Sequence, residues 1–202
     1  MRLIRRPTQS IPELRNGCVA TIGAFDGLHV GHRQILERVR AVAAEEQLPA
    51  LVFSFEPTPK EYFSRGTPPA RLMKFREKFQ ALDEMGFDWF YCPRFDAALA
   101  NYEPDEFVDD LLVDLLGVRK LIVGDDFHFA RKRSGNVDDL IRKGAEQGFS
   151  VEQVGSVIEN GERVSSSVVR QALADGELDK ARHLLGRYYR MSGMVVRGQL
   201  LG

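Results

Sequence analysis

The sequence predicts an α/β fold: a parallel sheet of about five strands with helices on both faces. Three observations carry this. Short runs that are apolar throughout alternate with longer stretches whose apolar residues recur at helical spacing. Glycine or proline punctuates most of the boundaries. The chemistry-bearing residues cluster directly after the apolar runs, at the edge where open α/β sheets bind ligands.

Residues 18–24, CVATIGA, read as the first strand, and Ile35, Leu36, Val39, Val42 and Ala43 follow at helical spacing. Residues 50–55, ALVFSF, make the second strand, and Phe75, Phe79, Leu82 and Met85 mark a helix that Gly86 stops. Residues 88–92 are the third strand. Pro104, Asp105 and Glu106 open the next helix, where proline loses no hydrogen bond and the acids complement the dipole; Gly117 closes it. Residues 119–124 and 149–157 are strands four and five, with a helix over 137–147 between them. Helices near 166–175 and 177–185 follow. The segment 187–202 reads as a single terminal strand, either an edge strand of this sheet or the start of a second module, since a lone strand is not stable by itself. Right-handed crossovers make the whole a Rossmann-like arrangement.

Composition excludes several classes. The chain has 202 residues, of which 44% are hydrophobic and 28% charged, ordinary for a globular protein. Lys plus Arg number 28 and Asp plus Glu 29, so the basic excess expected of a nucleic-acid binder is absent. The two cysteines, Cys18 and Cys92, sit beside apolar runs and read as small buried hydrophobes. They form no disulfide framework or metal-ligand spacing, and no apolar stretch is long enough for a signal peptide or a membrane span. A soluble cytoplasmic protein is expected; oligomeric state is not legible.

The first chemical feature is Gly23-Ala-Phe25-Asp-Gly27-Leu-His29-Val-Gly31-His32, at the exit of strand one. Gly23 and Gly27 permit a tight turn, and Gly31 permits close approach to the backbone. His29 and His32, two of only four histidines, lie three residues apart at a helix start and can face the same way. A helix N-terminus favours a phosphate, and two imidazole donors would stabilise the added charge of a pentavalent transition state. The bland alternative is that one histidine caps the helix and the other packs in the core.

The second feature is Arg163-Val-Ser165-Ser166-Ser167-Val-Val-Arg170, at a late helix start. One serine is explained as a cap. Three hydroxyls, free helix-end N–H groups and guanidinium groups make a cradle for a polyphosphate tail.

Together the two turns resemble those of the HxGH nucleotidyltransferases, with Ser167 standing where that superfamily has threonine. Phe53-Ser-Phe55-Glu-Pro57-Thr-Pro59, Phe95-Asp-Ala-Ala-Leu99-Ala100 and Gly124-Asp-Asp126-Phe127-His-Phe129, with Arg131-Lys-Arg133, narrow the match. The chain resembles, through nearly its whole length, the FMN adenylyltransferase module of the bifunctional riboflavin kinase/FAD synthetase family. That resemblance implies ATP contacts from Gly23, Phe25, Gly31, Ser165, Ser166, Ser167 and Arg170, with His29, His32 and Arg163 catalytic. It implies a flavin site at Phe55, Pro57, Phe63, Asp126, Phe127 and Phe129, flat faces suiting an isoalloxazine ring. Asp126 would lie near the substrate phosphate and hold Mg²⁺. Ala130 departs from the glycine of many members.

The implied reaction is transfer of AMP from ATP to FMN. Residues 1–186 would be the adenylyltransferase domain and 187–202 the start of a riboflavin kinase domain, whose own catalytic residues would lie beyond Gly202, so kinase activity is not expected of this chain. Other acceptors, phosphopantetheine or nicotinamide mononucleotide, remain open, although the phenylalanine-rich middle argues against them. An aminoacyl-tRNA synthetase fragment would need a KMSKS-like loop that is missing. A nucleotide-binding module without turnover is the remaining alternative.

Overall fold

A computed structural model gives the fold, describing residues 1–6 and 10–195. The strands are β1 (Arg2–Ile4), β2 (Cys18–Ile22), β3 (Ala50–Phe53), β4 (Trp89–Tyr91), β5 (Val118–Gly124) and β6 (Ser150–Val154). They form one sheet in the order β1-β4-β3-β2-β5-β6, and every pairing is parallel. From β2 the chain adds β3 and β4 on one side, then crosses over to add β5 and β6 on the other. The strand order therefore reverses between β2 and β5, and the crevice for ligands opens at their C-terminal ends.

Side chains alternate across this sheet. Ala20, Ile22, Leu51, Phe53, Leu121 and Val123 belong to one core cluster. Val19, Val52, Phe90 and Ile122 face the other way into a second. Helix α1 (Val30–Glu46) covers the second face with Leu36, Val39 and Val42. After the short α2 (Pro59–Tyr62), α3 (Phe75–Glu84) adds Leu82 to that face. The one-turn α4 (Ala97–Ala100), α5 (Pro104–Glu106, running on as a π-helical segment, Phe107–Leu115) and α6 (Val137–Gln147) cover the first. Helices α7 (Ser166–Ala174) and α8 (Leu178–Leu185) form a third cluster with Val164 and Leu72. No helix among the described residues is long and apolar enough to cross a membrane. Both cysteines are buried, and burial pushes the thiols up to about 12 for Cys18 and about 11 for Cys92, which keeps both protonated near neutral pH.

Several expectations are corrected. The sheet has six strands, because β1 pairs with β4 at the edge (Arg2↔Trp89, Ile4↔Tyr91). Three residues, one of them an arginine, are too few to show a strand pattern. The strand expected over 149–157 stops at Val154, and a separate hairpin follows, β7 (Ile158–Glu159) with β8 (Glu162–Arg163). Its turn is Asn160-Gly161, both at positive φ (50° and 79°), which is the Asn-Gly signature of a tight hairpin. The helix expected from 104 widens into a π-helix from Phe107, with Leu116 N–H donating to the Leu111 carbonyl. Apolar residues at 107, 108, 111, 112 and 116 serve either winding, so periodicity does not separate them. Gly117 does end it: at φ 60° an added Cβ would meet the Leu14 carbonyl at 2.7 Å. Residues 187–195 form no strand, and the rest of the expected terminal strand lies outside the described residues.

Candidate active site

Between β2 and α1 the chain makes a sharp turn, with Phe25, Gly27 and Leu28 at positive φ (47°, 85° and 45°). His29 caps α1: the His32 backbone N–H donates to its Nδ1 at 3.3 Å. That bond assigns the His29 proton to Nε2, leaving one imidazole donor for a ligand. The two rings stack at 3.6 Å between centroids and 19° between planes. Burial lowers the His29 pKa to about 4, helped by the charges of Arg163 and Arg170. Burial, then His29 and Lys78, pull His32 well below the ordinary value too. Both imidazoles are therefore neutral near pH 7, which lets them stack without repulsion. His32 Nδ1 is buried with no hydrogen-bond partner among the described residues.

Two expected ATP contacts serve the turn itself. Phe25 is 1% exposed and sets its ring edge-on to His32 at 5.3 Å, so it supports the imidazole from the core. Gly31 does allow close approach, but by this chain's own groups: an added Cβ would lie 3.3 Å from His29 Nδ1 and 3.9 Å from the Val164 carbonyl. The histidine turn and the serine turn thus meet directly.

Each serine has a different task. Ser165 caps α7, accepting from the Val168 N–H at 3.3 Å. Ser166 Oγ donates to the Asp26 carbonyl at 2.9 Å. Ser167 is exposed and makes no side-chain hydrogen bond among the described residues. Arg170 donates to the Ala70 carbonyl at 2.6 Å and pairs with the Asp26 carboxylate. Asp26, 7% exposed, also accepts from the backbone N–H groups of Leu72 and Met73, each at 3.1 Å. This carboxylate fastens the histidine turn, the 70–73 segment and α7 together. Beneath it, buried Lys78 donates to the Ala24 carbonyl at 2.5 Å.

Across the crevice, β5 leads into Asp125 and Asp126. Arg163 on β8 pairs with Asp126 at 2.8 Å and lies 3.7 Å from Asp125, which Ser156 holds by an Oγ bond of 2.6 Å. No group of three or more His, Cys, Asp or Glu side chains among the described residues forms a ready metal site.

A two-part cleft runs beside these groups. One cavity of about 300 Å³ has Gly23, Asp26, Asp126, Ser166 and Arg170 in its wall. A second, of about 640 Å³, is aromatic, with Tyr62, Phe63, Phe95, Phe107 and Phe129. Phe55, Pro59, Lys60, Phe127, His128 and Arg133 line both, so the two are continuous. Neither histidine is part of the first cavity's wall; His29 is 5% exposed, lodged between the turn and the charges of Arg163 and Arg170.

A family model described as FAD synthetase matches residues 11–168. The chain belongs to the FAD synthetase family. It is 48% identical over its full length to a bifunctional riboflavin kinase/FMN adenylyltransferase of Pseudomonas fluorescens, 44% to one of Escherichia coli K12 and 40% to one of Haemophilus influenzae. It spans about two thirds of these relatives, 64% of the first two and 65% of the third. A solved structure of a macrolide-efflux protein from Streptococcus pneumoniae shares the fold, with a TM-score of 0.83 at 24% identity over 98% of this chain and 64% of that one.

Within this FAD synthetase fold, Phe55, Phe63, Phe127 and Phe129 line the aromatic cavity. Pro57 does not: it borders a separate hollow with Arg5, Arg6, Glu56 and Arg94. Ala130 sits at φ 62°, a conformation that favours glycine, so the departure noted in the sequence falls on a strained position. Sequence reasoning passed over Asp26, Lys78, Lys60, Tyr62 and Phe107 as site residues, and quoted Phe95 and Arg133 only within segments. Asp26 stood inside the histidine motif, but nothing in a sequence marks a carboxylate that binds distant backbone N–H groups.

Proposed function

We propose that this chain transfers AMP from ATP to FMN, giving FAD and pyrophosphate. The observation that carries this reading is the continuity of the cleft: an aromatic cavity for a flat tricyclic ring opens into one whose wall holds Asp26, Asp126, Ser166 and Arg170, beside the histidine and serine turns. Lys60 and Arg133 line both parts and form no ion pair among the described residues, so they suit an acceptor phosphate at the junction. Phosphopantetheine would leave the aromatic wall unused.

An oxygen of the FMN phosphate attacks the α-phosphorus of ATP. A new P–O bond forms as the bond to the β-phosphate bridging oxygen breaks, and pyrophosphate leaves with that electron pair. The acceptor is already anionic near neutral pH, so no strong general base is needed. The protein positions the reactants and stabilises the charge on the equatorial oxygens. His29 offers its Nε2–H, and neutral His32 a second N–H, at a helix N-terminus that favours the anion. Ser167 and the free N–H groups of α7 receive the polyphosphate tail, with Arg163 moving its charge from Asp126 towards it.

Mg²⁺ fits the residues present, because it is held by one or two carboxylates plus substrate phosphates rather than by an all-protein cage. Asp126 would supply that carboxylate. The bound ion would offset charge on the departing pyrophosphate.

The test is direct. Purified chain with ATP, Mg²⁺ and FMN is expected to form FAD, resolved by chromatography, with phosphopantetheine and nicotinamide mononucleotide as competing acceptors. Turnover of another acceptor in preference to FMN, or no pyrophosphate release with any, would sink the reading.

A further inference from the structure

The segment after α8 is bound to the histidine turn. Helix α8 ends at Gly186, in the left-handed conformation (φ 67°), and an added Cβ there would lie 3.1 Å from Val30 Cγ1 on α1. The next residue, Arg187, is half-buried and turns inward. Its Nη2 donates to the Gly27 carbonyl at 2.8 Å, and its Nη1 to the carbonyls of Leu28 at 3.4 Å and Leu185 at 3.3 Å. It makes no ion pair among the described residues, and the neighbouring charges, Arg33 and Arg190, are of its own sign.

Gly27 and Leu28 are the two residues ahead of His29, both at positive φ, and Leu28 has no glycine's tolerance for it. A turn so wound directs its carbonyls away from any regular partner, and buried carbonyls require donors. One guanidinium, with several N–H groups in a rigid fork, satisfies both at once. The rest of the segment is held to the same body. Tyr189 packs on the cluster of α7 and α8, the Ser192 N–H donates to Glu77 at 2.8 Å, and Lys74 donates to the Ser192 carbonyl at 2.8 Å.

We infer that Arg187 is a positioning residue for the histidine pair, and that residues 187–192 belong to the adenylyltransferase body rather than to whatever follows. The guanidinium holds the Gly27–Leu28 carbonyls in the conformation that makes His29 the cap of α1 and stacks it on His32. The division at 186 expected from sequence then falls about six residues too early.

The experiment compares Arg187→Met, Arg187→Lys and, as a control on a neighbouring exposed charge, Arg190→Met. Turnover with FMN and ATP, KM for both, and the imidazole resonances of His29 and His32 by NMR are recorded on protein shown to be folded by circular dichroism. Arg187→Met is expected to lower kcat at least tenfold with KM for FMN within twofold, and to shift the His29 and His32 resonances. Arg187→Lys, which keeps a donor for one carbonyl, should recover part of both effects, and Arg190→Met should match wild type. Unchanged resonances with kcat within twofold would overturn the inference. So would a loss of kcat that merely tracks the loss of folded protein. The resonances need no substrate, so a wild-type chain that fails to make FAD would refute the proposed reaction while leaving this inference under test.

Discussion

Burial sets the charge state of His29 and His32, and that state has a measurable consequence. His29 falls from 6.5 in an unfolded chain to about 4 in the folded one, so below pH 6.5 the unfolded state binds more protons. Its contribution is fully present above about pH 6.5 and is lost as pH falls towards 4, on the order of 3 kcal/mol in all. Urea unfolding of wild type and His29→Gln at pH 7 and pH 5 should show the steeper loss in wild type; equal losses would mean that the imidazole is not held neutral. His32 shifts in the same direction and adds to the slope. Turnover should be flat through neutral pH and fall on the acid side, as the second N–H of a charged imidazole disrupts the cap and the stack. Asp26 offers a second residue-scale test. Asp26→Asn leaves Arg170 facing an amide, and breaking a pair this buried costs roughly 3–5 kcal/mol. A loss below about 1 kcal/mol in chemical denaturation would remove its fastening role.

At the scale of elements, the serines of one helix start differ: one is a cap and one is exposed with an unused hydroxyl. Ser165 caps α7, so Ser165→Ala should cost about 1 kcal/mol in urea unfolding whether or not nucleotide is present. Ser167 is exposed with an unused hydroxyl, so Ser167→Ala should leave stability unchanged and raise KM for ATP instead. The reverse pattern would exchange their roles. Serine preference for helix caps was legible in the sequence; which of three adjacent serines is the cap was not, because that depends on where the β8 hairpin delivers the chain. The Asn160-Gly161 turn was legible and overlooked, for it carries its own backbone chemistry in two residues. Strand β1 was not, since its pairing with β4 joins residues far apart in sequence.

At the scale of the whole molecule, the crossover from β4 to β5 brings the two halves of the cleft together. The aromatic half is assembled from α2, α4 with the π-helical segment, and the chain after β5, three stretches separated along the sequence. Phe63 is 60% exposed, so Phe63→Ala should leave folding intact. It should weaken FMN binding by roughly tenfold, the equivalent of about 1.4 kcal/mol, and leave KM for ATP alone. An equal effect on both substrates would argue against a division of labour between the cavities.

By itself the sequence determined the fold class, five of the six sheet strands, the two turns at helix starts that carry the histidines and serines, and the family. Those rest on local pattern: apolar runs, helix caps, and paired residues within one turn. Only the tertiary structure decided which side chains hold the site and which line it. Phe25 faces the core and Pro57 another hollow; Asp26, within the histidine turn, grips backbone N–H groups of residues 72–73, and Arg187 grips carbonyls of that turn. The physical reason is that buried charges and strained carbonyls find partners by position in space, and those partners lie from 46 to 160 residues away along the chain.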